Sequence, residues 1–171
     1  MAVGLGPALY LWDGDTGDVS LFKELDPIEI TAIKWDPTGA LVAVGMSDST
    51  VLMFNIEQNK QVRIMRGHAG RVTALSWNGS TLSSAGDGDF IMNSDVRVKQ
   101  HCQHQLRFHD KPVCGLQWNN DGDQLASGAG DSFVAVWDQR CVILSWPAVS
   151  VCNPGSCGSR LFQLRLCRQF L

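Results

Sequence analysis

Two stretches near the middle of this 171-residue chain repeat at a fixed step. Gly67-His68-Ala69-Gly70-Arg71-Val72-Thr73-Ala74-Leu75-Ser76-Trp77 is answered by His109-Asp110-Lys111-Pro112-Val113-Cys114-Gly115-Leu116-Gln117-Trp118, so His68 and His109 are 41 residues apart, as are Trp77 and Trp118. Trp35 stands 42 residues before Trp77. A second series, Trp12-Asp13, Phe54-Asn55, Ser94-Asp95 and Trp137-Asp138, has steps of 42, 40 and 43 between its second members. A unit of this length cannot bury its own apolar face, so the chain must fold by stacking like units on one another.

The content of each period gives the kind of unit. Ile30–Trp35 alternates in the manner of a strand and is closed by Asp36-Pro37-Thr38-Gly39, a turn in which Pro presets φ and Gly admits φ > 0. Ala40–Gly45 is almost wholly apolar, as a strand buried on both faces requires. Thr50–Ile56 and Gln61–Met65 follow. The same order recurs at Arg71–Trp77, Thr81–Ala85, Asp89–Asp95 and His104–Phe108, then at Val113–Trp118, Gln124–Ala129 and Phe133–Asp138. Ala2–Leu5, Ala8–Asp13 and Val19–Leu25 read as the second, third and fourth strands of an earlier unit. Four short strands per period of about 40–45 residues, with Gly-His and Trp-Asp marks, predict an all-β chain: a partial WD-repeat β-propeller of about three and a half four-stranded blades, starting in mid-blade.

Composition sets the boundary. Residues 1–140 carry 11 Lys/Arg against 17 Asp/Glu, whereas 141–171 hold three Arg and no Asp, Glu or Lys. Four of the six cysteines (Cys141, Cys152, Cys157, Cys167) also fall in that stretch. The expected organisation is a partial propeller over 1–140 and an irregular, non-repeat tail over 141–171. A net charge of −3 gives no electrostatic case for nucleic acid or an anionic membrane surface. No run reaches the ~18 apolar residues of a membrane span. The N-terminus lacks a basic segment and a long apolar segment, so no secretory signal is read there. The cysteines are therefore expected as reduced thiols in the cytoplasm or nucleus.

The repeat at 109–138 is the best formed. In WD repeats a loop His, a Ser or Thr on the second strand, an Asp in the next turn and a Trp on the third strand can share one hydrogen-bonded network. Here the residues are His109, Ser127, Asp131 and Trp137. A buried imidazole and indole N–H need acceptors, and a carboxylate supplies one. The earlier repeats are degraded: Phe54 replaces Trp in one, and Ser94 in the other. His109, Ser127 and Asp131 could also be drawn as a hydrolase triad, but no oxyanion hole or nucleophile elbow accompanies them. The structural role is expected. No catalytic, cofactor-binding or metal residue is expected elsewhere. His101-Cys102-Gln103-His104 has no second ligand pair and reads as a solvated loop. Cys152 and Cys157 lack a His partner in the tail. Asp87-Gly88-Asp89 lacks the remaining ligands of a calcium loop, and Gly4-x-Gly6 precedes a strand rather than a helix.

Several strings are more specific than a generic WD repeat. They are Leu9-Tyr10-Leu11-Trp12 with its Gly/Asp/Thr-rich turn, Leu41-Val42-Ala43-Val44-Gly45, and Arg66-Gly67-His68-Ala69-Gly70-Arg71-Val72 leading to Leu75-Ser76-Trp77-Asn78. Leu82-Ser83-Ser84, Asp95-Val96-Arg97, Val113-Cys114-Gly115-Leu116-Gln117-Trp118 and Leu125-Ala126-Ser127-Gly128 complete the series. Residues 3–138 on this basis resemble the Fizzy and Fizzy-related family, the cell-division-cycle activators of the anaphase-promoting complex. The resemblance implies a non-enzymatic substrate adaptor and activator of that ubiquitin ligase. Its partners would be the complex's subunits and destruction-motif peptides, with no cofactor and a setting in cytoplasm and nucleus. Family members have an N-terminal complex-binding segment, seven blades and an Ile-Arg terminus. This chain matches none of those three, which implies an incomplete form, poorly soluble alone or paired with another half-propeller. The alternative is a generic WD-repeat interaction scaffold with no ligase link.

Overall fold

The computed structural model describes residues 1–88, 90–98, 102–138 and 141–147. Among these every regular element is a β-strand. In chain order they are β1 (Ala2–Leu5), β2 (Ala8–Trp12), β3 (Val19–Glu24), β4 (Ile30–Trp35), β5 (Leu41–Met46), β6 (Val51–Asn55), β7 (Lys60–Met65), β8 (Val72–Asn78), β9 (Thr81–Gly86), β10 (Phe90–Asp95), β11 (Cys102–Arg107), β12 (Val113–Trp118), β13 (Gln124–Ala129), β14 (Phe133–Asp138) and β15 (Cys141–Pro147). They form four antiparallel sheets, ordered β1-β2-β3, β4-β5-β6-β7, β8-β9-β10-β11 and β12-β13-β14-β15. Every neighbour in a sheet is a neighbour in sequence, so each sheet is a meander joined by short turns, the topology of a propeller blade.

The chain divides into two compact units, Met1–Val72 and Thr73–Leu171. In the first, Leu9, Val42, Val44, Met46 and Phe54 are buried together, with Ile30, Ile33, Trp35 and Phe22 packed on them. Phe22 meets Phe54 edge to face at 5.9 Å. Gly4 is needed here because a Cβ at that position would stand 2.8 Å from Ile30 Cγ2. In the second unit the core comprises Ala74, Ala85, Ile91, Leu106, Val113, Leu116, Trp118, Leu125, Ala135 and Trp137.

The turns between first and second strands are built alike. Asp36 Oδ1 accepts the Leu41 N–H at 2.9 Å, and Gly39 at φ 76° closes the turn onto the Asp36 carbonyl. Asn119 Oδ1 accepts the N–H groups of Asp123 and Gln124, both at 3.1 Å, and Gly122 at φ 73° closes onto the Asn119 carbonyl. The first strand is offset by one residue in register near its start in β4 and β12 alike, between Ile30 and Ala32 and between Val113 and Gly115.

The structure differs from the sequence reading in two places. Cys141–Pro147, assigned above to the non-repeat tail, forms β15 and pairs along β14 from Asp138↔Cys141 to Phe133↔Pro147. Val142-Ile143-Leu144-Ser145-Trp146 is strand-forming sequence, rich in β-branched and aromatic residues, and the composition break at Arg140 masked it. Residues 148–171 lie outside the described residues, as do the Cys152, Cys157 and Cys167 thiols. β11 starts at Cys102, two residues before the expected strand, so Cys102-Gln103-His104 belong to a strand rather than a loop; His101 lies outside the described residues. β10 starts at Phe90, and Asp89, the last residue of the Asp87-Gly88-Asp89 triplet, also lies outside them.

Candidate functional site

A constellation of His, Ser, Asp and Trp side chains at bonding distance lies in the second unit, in the sheet β12-β13-β14-β15. β13 brings Ser127 opposite Ala135 of β14 and Leu125 opposite Trp137. The period-2 pleat therefore sets Ser127 and Trp137 side by side on one face. Asp131 sits in the β13–β14 turn, where its Oδ1 accepts the Phe133 N–H at 2.8 Å, and Ser132 at φ 67° completes the turn. His109 precedes β12.

These four side chains form one connected network, with His109 and Trp137 both on the Ser127 hydroxyl and Asp131 on the far side of the imidazole. His109 Nε2 is 2.8 Å from Ser127 Oγ, and Trp137 donates its indole N–H to the same oxygen at 2.8 Å. His109 Nδ1 is 2.7 Å from Asp131 Oδ2. The Ala135 carbonyl lies 3.5 Å from Ser127 Oγ. With Nδ1–H donated to the carboxylate, Nε2 accepts the Ser127 O–H while that oxygen accepts the Trp137 N–H. Each polar atom is then used once, which is what burial demands. Ser127 has no exposed surface and His109 only 4%. Phe108 covers the histidine, edge to face with His109 at 5.3 Å, Phe133 at 6.2 Å and Trp137 at 6.4 Å.

The corresponding residues of the sheet β4-β5-β6-β7 follow from its register: Phe54 pairs with Val42 as Trp137 does with Leu125, so Val44 stands where Ser127 stands. Hydroxyl and indole have been exchanged together for two apolar groups. The turn carboxylate persists without them: Asp48 Oδ1 accepts the Thr50 N–H at 3.0 Å and the Thr50 hydroxyl at 2.6 Å, and Ser49 takes φ 73°. His68, the periodic counterpart of His109, is 9% exposed, and burial lowers its pKa from 6.5 to about 4.

A second buried network is not marked by any WD-repeat signature. Trp118 donates its indole N–H to Ser83 Oγ at 2.9 Å and its backbone N–H to Ser76 Oγ at 3.1 Å, and Ser83 donates to Asn93 Oδ1 at 2.7 Å. All are nearly or wholly buried. The only sequence signal is a cluster of small polar residues on strands otherwise expected to be apolar.

Family models match two segments: an "Anaphase-promoting complex subunit 4 WD40 domain" over residues 18–80 and a "WD domain, G-beta repeat" over 100–138. The chain is 40% identical over 150 residues to "Anaphase-promoting complex subunit cdc20" of Dictyostelium discoideum, covering 86% of this chain and 30% of that protein. It is 37% identical over 141 residues to "Meiotic fizzy-related protein 1" of Schizosaccharomyces pombe, covering 82% and 34%. It is 39% identical over 142 residues to "Cell division cycle 20.1, cofactor of APC complex" of Arabidopsis thaliana, covering 81% and 31%. It thus spans about a third of the length of these relatives. A chain in the "Crystal Structure of Mitotic Checkpoint Complex" superposes with a TM-score of 0.83 at 36% identity, over 85% of this chain and 46% of that one. Sheet order, repeat period and these likenesses agree: the chain belongs to the Fizzy and Fizzy-related family of WD-repeat proteins.

Proposed function

We propose that this chain carries part of the propeller of a substrate adaptor and activator of the anaphase-promoting complex ubiquitin ligase, acting in cell-cycle control in cytoplasm and nucleus. The observation that carries the reading is 40% identity over 150 residues, 86% of this chain, to a protein named as a subunit of that complex. Its partners on this reading are subunits of the complex and extended destruction-motif peptides, whose backbone is held by strands and loops while pockets select side chains.

The role is non-catalytic. Ser127, the serine that meets His109 and, through it, Asp131, is wholly buried and its oxygen already receives the Trp137 N–H, so it has no free approach for a carbonyl carbon. The His109–Ser127–Asp131–Trp137 network acts as a rivet that fixes the β13–β14 turn. No helix among the described residues is long and apolar enough to cross a membrane.

The test is capture of anaphase-promoting-complex subunits from mitotic extract by the tagged chain, with competition by a synthetic destruction-box peptide against a scrambled one. Recovery of the subunits, or competition by the authentic peptide alone, is expected. Recovery of unrelated proteins with no effect of the peptide would favour a generic WD-repeat scaffold.

A further inference from the structure

The sheet β1-β2-β3 has three strands where the other three sheets have four, and β1 is its edge. The registers show which strand position is open. Ala2 pairs with Leu11, one residue before the strand-end Trp12, and Ala43 pairs with Met53, one residue before Phe54. Met1, Val3 and Leu5 therefore stand where Val42, Val44 and Met46 stand. The glycines agree: a Cβ at Gly4 would lie 2.8 Å from Ile30 Cγ2, and one at Gly45 would lie 2.9 Å from Val72 Cγ1. β1 is thus a second strand, and among the described residues no first strand pairs with it.

Three features fit that edge for a strand. Met1 and Trp12 exchange both backbone hydrogen bonds, so the alternation of an antiparallel ladder turns the N–H and C=O groups of Ala2 and Gly4 away from β2. The apolar face of β1 is bare: Met1, Val3 and Leu5 are 64%, 41% and 71% exposed, against 0%, 0% and 1% for Val42, Val44 and Met46. An acceptor is also in place. The Thr31 hydroxyl donates to the Val72 carbonyl and the Thr73 hydroxyl to the Val113 carbonyl, each from the second residue of one first strand to the first residue of the next. Ile30, the first residue of β4, offers the corresponding carbonyl to a threonine beside β1. The first strands share one pattern: Ile-Thr-Ala-Ile-Lys-Trp in β4, Val-Thr-Ala-Leu-Ser-Trp in β8 and Val-Cys-Gly-Leu-Gln-Trp in β12. A helix has no free backbone groups along its length to answer the edge of β1, whereas an extended segment has. We propose that β1 binds, in trans, an extended partner segment of the pattern apolar-Thr-small-apolar-x-Trp, which adds as a fourth antiparallel strand. By the register of β4 on β5, its third residue faces Gly4 and its fifth faces Ala2. A second copy carries the pattern in β4, β8 and β12, but those strands are already paired in their own sheets. The proposal goes beyond the adaptor reading and does not depend on it.

The probe is a serine-flanked synthetic peptide, Ile-Thr-Ala-Ile-Lys-Trp, read on the isotope-labelled full-length chain. Binding should slow hydrogen exchange at the Ala2 and Gly4 amides and leave the Trp118 and Trp137 indole signals in place. The peptide's lysine N–H faces Ala2, so N-methylating it should raise Kd about three- to tenfold, the effect of one lost hydrogen bond. N-methylating the preceding isoleucine, whose N–H faces away from β1, should change Kd little. Replacing the peptide's threonine by valine keeps the shape, removes the hydroxyl meant for the Ile30 carbonyl, and should raise Kd about threefold. On the chain, Val3→Lys should weaken binding by placing a charge on the bare face, with unshifted Trp118 and Trp137 signals reporting an intact second unit. Equal effects of the two N-methyl groups or equal binding of a scrambled peptide would overturn the proposal. So would protection of Ala2 and Gly4 that rises with chain concentration in the absence of peptide, the mark of two copies pairing.

Discussion

The indole nitrogen of Trp118 lies 2.9 Å from the hydroxyl of Ser83, tying the first strand of one sheet to the second strand of another. The same tie is missing in the first unit. Trp35 occupies the Trp118 position of β4, and its buried Nε1 has no acceptor among the described residues. The registers explain why. Ser83 pairs with Asn93, one residue before the strand-end Ser94; Ala2 pairs with Leu11, one residue before the strand-end Trp12. Ala2 therefore stands where Ser83 stands, with a methyl in place of a hydroxyl. Ala2→Ser should stabilise the chain by about 1 kcal/mol by giving Trp35 its acceptor. Ser83→Ala should destabilise it by about 1–3 kcal/mol by leaving the Trp118 donor and Asn93 unpaired. Urea unfolding midpoints check both, and a loss of stability in Ala2→Ser would refute the equivalence.

Ser127→Val should cost about 2–5 kcal/mol, because it strips the buried His109 Nε2 and the Trp137 N–H of a shared partner at once. The sheet β4-β5-β6-β7 suggests the repair, since it holds Val44 and Phe54 at the two corresponding positions. Adding Trp137→Phe to Ser127→Val should recover part of the loss, so the pair is less destabilising than the sum of the single changes. A double-mutant cycle in chemical denaturation measures the coupling. Simple additivity would mean that Ser127 and Trp137 do not share the bond energetically.

Most of the strand pattern was legible in the sequence, for an identifiable reason. The Trp35, Trp77 and Trp118 series and the Asp-Pro-Thr-Gly and Asn-Asn-Asp-Gly turns are local signals, and local signals survive without knowledge of neighbours. β15 was not legible, because an abrupt change in charge and cysteine content at Arg140 outweighed a strand-forming pentapeptide. The Ser83–Asn93–Trp118 network was not legible either. Its members come from β9, β10 and β12 and are joined only through sheet register, and small polar residues on a buried strand do not announce their partners. His109, Ser127, Asp131 and Trp137 could be named beforehand because a repeat signature spaces them. The meeting of Ser127 with Trp137 rests on the one-face pairing of β13 with β14.

Stability should fall as pH drops from about 6.5 to about 4, and His68 should account for part of that fall. Burial holds its pKa at about 4 in the fold against an ordinary 6.5, so in this window the unfolded chain binds a proton that the folded chain does not. The folded state is therefore favoured above the window. The advantage shrinks through it and is fully lost below about 4, to a limit of about 3 kcal/mol. Unfolding midpoints measured across this range should show a shallower pH slope in His68→Gln than in the parent chain. An unchanged slope would place the titration elsewhere.

Gly39 and Gly122 separate backbone strain from side-chain collision. Both take φ near 75°, at 76° and 73°, where an L residue is disfavoured. A Cβ at Gly39 meets nothing within 4 Å, whereas one at Gly122 would lie 2.4 Å from Asn78 Oδ1. Asn78 also donates from Nδ2 to the Gly122 carbonyl at 2.6 Å, so its side chain cannot withdraw without losing that bond. Gly39→Ala should then cost about 1–2 kcal/mol, the conformational term alone. Gly122→Ala should cost that amount plus the loss of the Asn78 contact, roughly a further 1 kcal/mol. Against an Asn78→Ala background, Gly122→Ala should cost no more than Gly39→Ala does, because the obstructing amide is gone. Denaturant unfolding of the four variants tests the argument, and a full Gly122 penalty that persists without Asn78 would show that the turn backbone itself, not the amide, sets the cost.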